Sequence, residues 1–316
     1  MRPKIVVVGS ANRDLIVKTK RIPSPGETVS GGAFLTAPGG KGANQAVAAA
    51  RLGADVWFVG CVGKDSYGDM LLDELSSDGI NVDYVRRDES VATGIAMIAV
   101  DSHGQNAIVV APGANHRVST ADVQSAHNAI SAADVVIVQL EIPLETVAAA
   151  IDAARACGVK VVLNPAPMPE GRPLPDSMLA KVDVLVPNEH EAAQMLGFEP
   201  TRALDWTDAA IRMLAKSSGT VVITLGEAGC VLADRDGVRA IHAIPVRAID
   251  STAAGDCFTG AFAVAIAEGS SADDAALFAS AAAAISVTRI GAQPSLPDRA
   301  EVTQLLERYR SLPIQR

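Results

Sequence analysis

The sequence is poor in the patterns that mark several large functional classes. Its four cysteines, Cys61, Cys157, Cys230 and Cys257, lie far apart without a CxxC pair, which argues against a zinc site or a disulfide framework and fits a reducing cytoplasm. The five histidines show no metal-ligand spacing. NEHEAA around His190 has no second histidine and is therefore no HExxH helix. No cluster of Lys and Arg stands out, and 36 acidic against 27 basic residues give a formal net charge of -9, so neither nucleic acid nor an anionic membrane is an expected partner. No apolar run is both long enough and free enough of charge to span a bilayer. The apolar start KIVVVG is too short for a signal peptide and meets Asn12, Arg13 and Asp14 at once. A Gly-x-Ser-x-Gly elbow is also missing, which leaves a serine hydrolase little support.

What is present is an alternation. Short β-branched runs (KIVVVG, DVWFVGCVG, DVVIVQLE, VKVVLNPAP, TVVITLGEAG) exchange with Ala- and Leu-rich helical stretches (NQAVAAARLG, MLLDELSSDG, TVAAAIDAARACG, IRMLAKSSG). The runs are apolar on successive residues, as when both faces of a parallel sheet are covered. This predicts an α/β fold, a doubly wound and mainly parallel sheet with helices on both faces. Gly53, Gly79, Gly158 and Gly219 are expected to close helices. Residues 1–316 then form one α/β domain, large enough to bury roughly three quarters of its unfolded surface. Two segments, about 13–38 and 93–112, break the alternation with extended pieces. The second reads as a hairpin turning at Ser102-His103-Gly104-Gln105. A small accessory sheet follows, either a lid or an ordinary edge extension.

Open α/β sheets bind ligands beyond the carboxyl ends of their strands, and here those ends carry Ser10, Asn12, Asp14, Glu141, Asn188, Glu191 and Gly226. APGGKGANQ fails as a phosphate-binding P-loop because Gly42 follows Lys41 where Ser or Thr is needed. It reads instead as a Gly-Gly turn entering a helix, with Lys41 and Asn44 on its first turns. DSTAAGDCFTGAF places Asp256 in the first turn of a tightly packed apolar helix. There it is either a carboxylate satisfying orphan amides or a proton-handling group beside an anion docked on the uncovered amides of Ala253, Ala254 and Gly255. Cys257 reads as a small core residue.

With GSANRD, GGKGANQAVAAARLGA, QLEIP, LNPAP, PNEHEA, TLGEAG, DSTAAGDCFTGAF and TRIGAQPS in that order, the chain resembles the ribokinase family of sugar kinases over nearly its whole length. The resemblance implies ATP-dependent phosphorylation of D-ribose at its 5-hydroxyl, with 2-deoxyribose or another furanose as the alternative substrate and a non-catalytic sugar-binding regulator as a further one. It implies Asp256 as catalytic base, the amides of Ala253, Ala254 and Gly255 as an anion hole, and sugar recognition by Asn12, Asp14, Gly40, Lys41, Asn44 and Glu141. The nucleotide side falls to Asn188, Thr224, Gly226, Glu227, Gly229, Gly255 and Ser280, with Glu191 associated with Mg2+ and phosphate. A monovalent-cation site for K+ falls to Asp250, Thr252, Ser286, Arg289, Gly291 and Ser295. Ser280 stands where relatives often have His or Asn. Arg13 is bulkier than the usual residue and points either to the lid or into the sugar pocket. A cytoplasmic homodimer closed through the lids is the expected assembly.

Overall fold

Strands apolar on successive residues need cover on both faces, and a nine-stranded sheet between two helical layers supplies it. The computed structural model describes residues 2–103, 105–169, 171–198, 204–217 and 219–311. The first half of the chain forms β1 (Lys4–Val8), β2 (Asn12–Lys18), β3 (Phe34–Gly39), α1 (Lys41–Arg51), β4 (Asp55–Gly63), α2 (Ser66–Ser77), β5 (Asn81–Asp88), β6 (Gly94–Val100), β7 (Asn106–Ala111), α3 (Thr120–Ser125), α4 (His127–Ser131), β8 (Val135–Val138) and α5 (Leu144–Ala156). The second half forms β9 (Lys160–Leu163), α6 (Asp176–Leu179), β10 (Val184–Leu185), α7 (Glu189–Leu196), α8 (Trp206–Leu214), β11 (Thr220–Thr224), β12 (Cys230–Asp234), β13 (Gly237–Ile241), α9 (Ala254–Ala267), α10 (Ala272–Ser286) and α11 (Arg299–Ser311).

The large sheet runs β13-β12-β11-β10-β9-β8-β1-β4-β5. It is parallel from β11 to β5 and antiparallel at β12 and β13. The expected α/β class is therefore observed. Strand β1 shows why its sequence is unbroken: Ile5 and Val7 enter the core beneath α1, α9 and α10, while Val6 and Val8 enter the opposite core beneath α5.

A second sheet, β3-β2-β6-β7, stands apart from the first. The chain enters it from β1 and from β5, and leaves it into α1 and into a short 3-10 turn at Gly113–Arg117. These crossings lie together, because Asn12 pairs with Gly39 on one side and with Gly94 on the other. Strands β6 and β7 pair antiparallel from Ile95–Ala111 to Val100–Asn106; Gly104, in the turn expected between them, lies outside the described residues.

Gly53, Gly79 and Gly158 follow helices with φ of 102°, 77° and 72°, the left-handed stop expected of them. Gly219 corrects the expectation. Helix α8 ends earlier, at Leu214, and Gly219 is required for a different reason: a Cβ there would lie 2.1 Å from the carbonyl oxygen of Asp183. Close approach also fixes α1 against α9. A Cβ on Gly260 would lie 2.8 Å from Ala48 Cβ and from the Gln45 carbonyl oxygen, so the two helices touch backbone to backbone beside the carboxyl ends of the central strands.

Candidate active site

Helix α1 begins at Gly40, whose φ of 89° suits glycine and whose position offers no side-chain cap. The cap comes from across the sheet. Glu141 Oε2 accepts from the Lys41 amide at 3.0 Å and from the Ser10 hydroxyl at 2.5 Å, which places negative charge at the positive end of the helix. Gly42 keeps this junction tight, since a Cβ there would meet the Ser10 nitrogen at 2.6 Å.

Helix α9 starts differently. Its N-cap, Ala253, holds φ at 59°, the only non-glycine residue with positive φ among those described and a conformation costing roughly 1 kcal/mol or more. No side chain caps the helix, and the space in front of Gly255 is open for 4 Å. The Gly255 and Asp256 amides find no acceptor among the described residues. Asp256 is buried but does not cap its own helix. Its carboxylate turns to α1, accepting from Asn44 Nδ2 at 2.9 Å and from Gln45 Nε2 at 3.0 Å. Of the two readings of Asp256, the one in which it satisfies orphan amides is therefore excluded.

The electrostatics follow from burial among charges. Desolvation pushes Asp256 above the ordinary carboxylate value, opposed by Lys41, Asn44 and Gln45 and reinforced by Glu141. Burial draws the half-buried Lys41 ammonium down, but Asp256, Glu141 and Glu191 together carry it above its usual range. Asp14 is raised to about 7, first by burial and then by Glu141 and Asp256, against the pull of Arg13. No protein donor among the described residues reaches the Asp14 carboxylate. It rests over Gly39, where a Cβ would sit 2.5 Å from both its oxygens. Asn12 Oδ1 is already engaged by Asn115 Nδ2 at 2.7 Å, and Gly94 leaves room for that pair. The Asn44 Oδ1 atom is buried without a partner. The pocket thus presents an unmet carboxylate and an unmet amide oxygen, acceptors suited to hydroxyl groups.

Arg13, between Asn12 and Asp14, points away from this pocket. Its guanidinium pairs with Glu74 of α2 at 2.8 Å and donates to Thr36 Oγ1 of β3 at 2.9 Å.

Farther along the sheet, Asn188 and Glu191 form a reciprocal cap on α7. Glu191 accepts from the Asn188 amide at 2.8 Å and from Asn188 Nδ2 at 3.0 Å, and the Glu191 amide donates back at 2.8 Å. Burial raises Glu191, opposed by the Asn188 amide and Lys41. Thr224 bridges to Asn188, and Gly226, Glu227 and Gly229 form the turn that follows. Ser280 is buried on α10. No hydrogen bond or ion pair joins Glu227 or Ser280 to the Asp256 group. Ahead of α9, Asp250 accepts from the Thr252 amide and hydroxyl at 2.9 and 2.6 Å and from the Gly291 amide at 2.8 Å. Despite desolvation, these donors hold it below the ordinary value. The segment from Ser286 to Ser295 is thereby tied to the loop that leads into Ala253. Arg289 is paired with Glu301, and the Ser295 hydroxyl donates to the Ala292 carbonyl at 2.7 Å.

Sequence reasoning missed Gln45, Gln139, Asn164 and Asn115. Gln139 and Asn164 carried one usable signal, a polar residue directly after an apolar strand. Gln45 and Asn115 lacked even that.

Residues 2–299 match the model of the pfkB family carbohydrate kinases. The chain is 42% identical to the ribokinase of Haemophilus influenzae over 97% of this chain and 99% of that one. It is 38% identical to a deoxyribokinase of Salmonella typhi over 96% and 98%. The solved structure of Arabidopsis thaliana ribokinase complexed with ribose and ATP superposes with a TM-score of 0.87 at 36% identity, covering 97% of this chain and 99% of that one.

The unmet Asp14 carboxylate has a consequence for stability. Its folded value of about 7 lies above the unfolded value near 3.8, so its contribution is fully present below the unfolded value and is lost as pH rises through the folded one. In ligand-free protein, Asp14→Asn is therefore expected to raise the melting temperature more at pH 8 than at pH 5, by roughly 3 °C or more. Scanning fluorimetry at the two pH values reads the difference; equal shifts would contradict the burial argument.

Proposed function

The chain belongs to the pfkB family of carbohydrate kinases, and we propose that it is an ATP-dependent kinase of D-ribose, giving ribose 5-phosphate and ADP. The observation that carries this reading is Asp256, buried in the first turn of a helix that no side chain caps and whose Gly255 and Asp256 amides find no acceptor among the described residues. A ribosyl 5-hydroxyl beside Asp256 loses its proton to the carboxylate as its oxygen bonds to the γ-phosphorus. The bond from that phosphorus to the bridging oxygen breaks, its electron pair leaving with ADP. Charge on the transferring oxygens meets the anion hole of Ala253, Ala254 and Gly255 at the left-handed turn of Ala253; the Ala254 amide, which donates to the Ser251 carbonyl at 3.2 Å in the ligand-free protein, turns to the phosphoryl group on binding. Asn12, Asp14, Gly40, Lys41, Asn44 and Glu141 recognise the sugar. Asp14 and Asn44 do so through the acceptors the fold leaves unmet.

Asn188, Glu191, Thr224, Gly226, Glu227, Gly229, Gly255 and Ser280 form the nucleotide side. The described residues contain no group of three or more ligating side chains suited to a metal ion, which fits Mg2+ held mainly through phosphate oxygens and water. Mg2+ bound with ATP would supply charge neutralisation, and Glu191 would be the carboxylate associated with it and with phosphate. Asp250, with Thr252, Ser286, Arg289, Gly291 and Ser295, is the candidate K+ site, its ionised carboxylate and neighbouring carbonyls being hard oxygen donors. The Arg289 guanidinium is spent on Glu301, which leaves its carbonyl as the group to offer. Four free cysteines support a cytoplasmic setting. No described helix is long and apolar enough to cross a membrane. Phe34, Leu35, Met97, Ile108 and Val109 are exposed on the small sheet, which supports a homodimer closed through the lids.

Four outcomes follow. Asp256→Asn keeps the shape and removes the base, so kcat should fall at least about 100-fold with little change in ribose KM; near-normal kcat would remove Asp256 from the reaction. The similarity to a deoxyribokinase keeps 2-deoxyribose as the second reading. An enclosed acceptor disfavours an analogue that lacks its hydroxyl, so kcat/KM for ribose should exceed that for 2-deoxyribose by about 10-fold or more, and coupled ADP detection giving parity would overturn the choice of sugar. Turnover should rise on adding K+ to K+-free enzyme, with Na+ a poor substitute, and no response would discard the cation site. In sedimentation, Val109→Lys should shift a dimeric protein to monomer; a wild-type monomer would dismiss the lid contact.

A further inference from the structure

A chain of buried amides runs from the ends of β8 and β9 to Asp256, and the proposed reaction uses none of it. Gln139 follows β8, and its Nε2 donates to Gln45 Oε1 at 2.7 Å. Gln45 Nε2 donates to Asp256 Oδ1 at 3.0 Å and to Asn164 Oδ1 at 3.1 Å. Asn164 follows β9, and its Nδ2 donates to the Val186 carbonyl at 2.8 Å. All three amides are buried. Gly9 makes room for the outermost, since a Cβ there would lie 2.1 Å from Gln139 Oε1.

Two partners, Asn164 and Asp256, permit one orientation each, and Gln139, whose Oε1 is buried without a partner, supplies the donor for the Gln45 oxygen. Val186 offers only a carbonyl, so Asn164 must turn its oxygen toward Gln45. Asp256 as a carboxylate only accepts. Two acceptors therefore stand at one end of the Gln45 amide and a donor, Gln139, at the other. A reversed Gln45 would set oxygen against carboxylate and nitrogen against nitrogen among buried groups, where unmatched polar atoms are costly.

We infer that Gln45 is a positioning residue for proton transfer, kept in its donating orientation by Gln139 and Asn164; this rests on the reading of Asp256 as the base. With Asn44 on Oδ2 and Gln45 on Oδ1, both carboxylate oxygens are pinned by α1. The plane of the group is fixed, and its ionised form is favoured.

The test is a double-mutant cycle with ribose and ATP. Gln45→Met preserves length and burial but removes the donor. It should lower kcat about 10-fold or more, the scale of a lost hydrogen bond to an ionised group, with ribose KM within about twofold. In an Asp256→Asn background the same substitution should lower kcat no further. Gln139→Glu presents an acceptor to Gln45 Oε1, drives the amide to reverse and should reproduce the loss. Gln139→Met, which forces nothing, should lose less. Melting temperatures of all variants identify any that fail to fold, and the two Gln139 substitutions then carry the test. Unchanged kcat in Gln45→Met, an equal fall in both backgrounds, or a rise confined to KM would overturn the inference. Near-normal turnover in Asp256→Asn alone would overturn the base reading and the inference with it, a result visible before Gln45 is touched.

Discussion

The close contact of α1 and α9 at Gly260 lets Asn44 and Gln45 reach Asp256, one helical turn earlier on α9. A buried carboxylate left without donors is disfavoured by several kcal/mol and is expected to protonate instead. Two charge-assisted hydrogen bonds, each contributing about 1.5–3 kcal/mol, and the Lys41 charge oppose that penalty. The alanines of α1 and the glycine of α9 are thus part of the chemistry. A larger residue at position 260 would press on Ala48 and the Gln45 carbonyl and so disturb the helix that carries the donors.

The second constraint lies where the two sheets exchange chain. Asn12, Asp14, Gly39, Gly40 and Gly94 occupy one small region because β2 pairs with both β3 and β6 there. The glycines are filled by neighbours: the Asp14 carboxylate takes the space of a Gly39 side chain, and the Asn12–Asn115 pair takes that of Gly94. Asn12 and Asp14 belong to the small sheet, whereas Lys41, Asn44, Glu141 and Asp256 belong to the body. Arg13 anchors the arrangement from behind through Glu74 and Thr36.

The layered fold was legible because uninterrupted apolar strands such as Val135–Val138 leave no other arrangement of a parallel sheet. The place of Asp256 was legible from its flanking small residues, but its direction was not. That depended on Asn44 and Gln45, more than two hundred positions earlier in the chain. Arg13 had two orientations open for the same reason, since Glu74 becomes its neighbour only through the packing of α2 on β2. Gln139 and Asn164 stood in plain view after their strands, yet a glutamine or asparagine in sequence does not say which end of its amide faces what. Gly219 was misread because a glycine near a helix end and a glycine forced by a crowded carbonyl look alike until the backbone is placed.

The most direct measurement of the central claim is a crystal structure of the protein with ribose and a non-hydrolysable ATP analogue. The account predicts the sugar 5-hydroxyl within about 3 Å of an Asp256 carboxylate oxygen, Asn44 and Gln45 still donating to that carboxylate, and the terminal phosphate facing the Gly255 amide. A sugar bound with its 5-hydroxyl directed away from Asp256, or a terminal phosphate held elsewhere than at the start of α9, would contradict it.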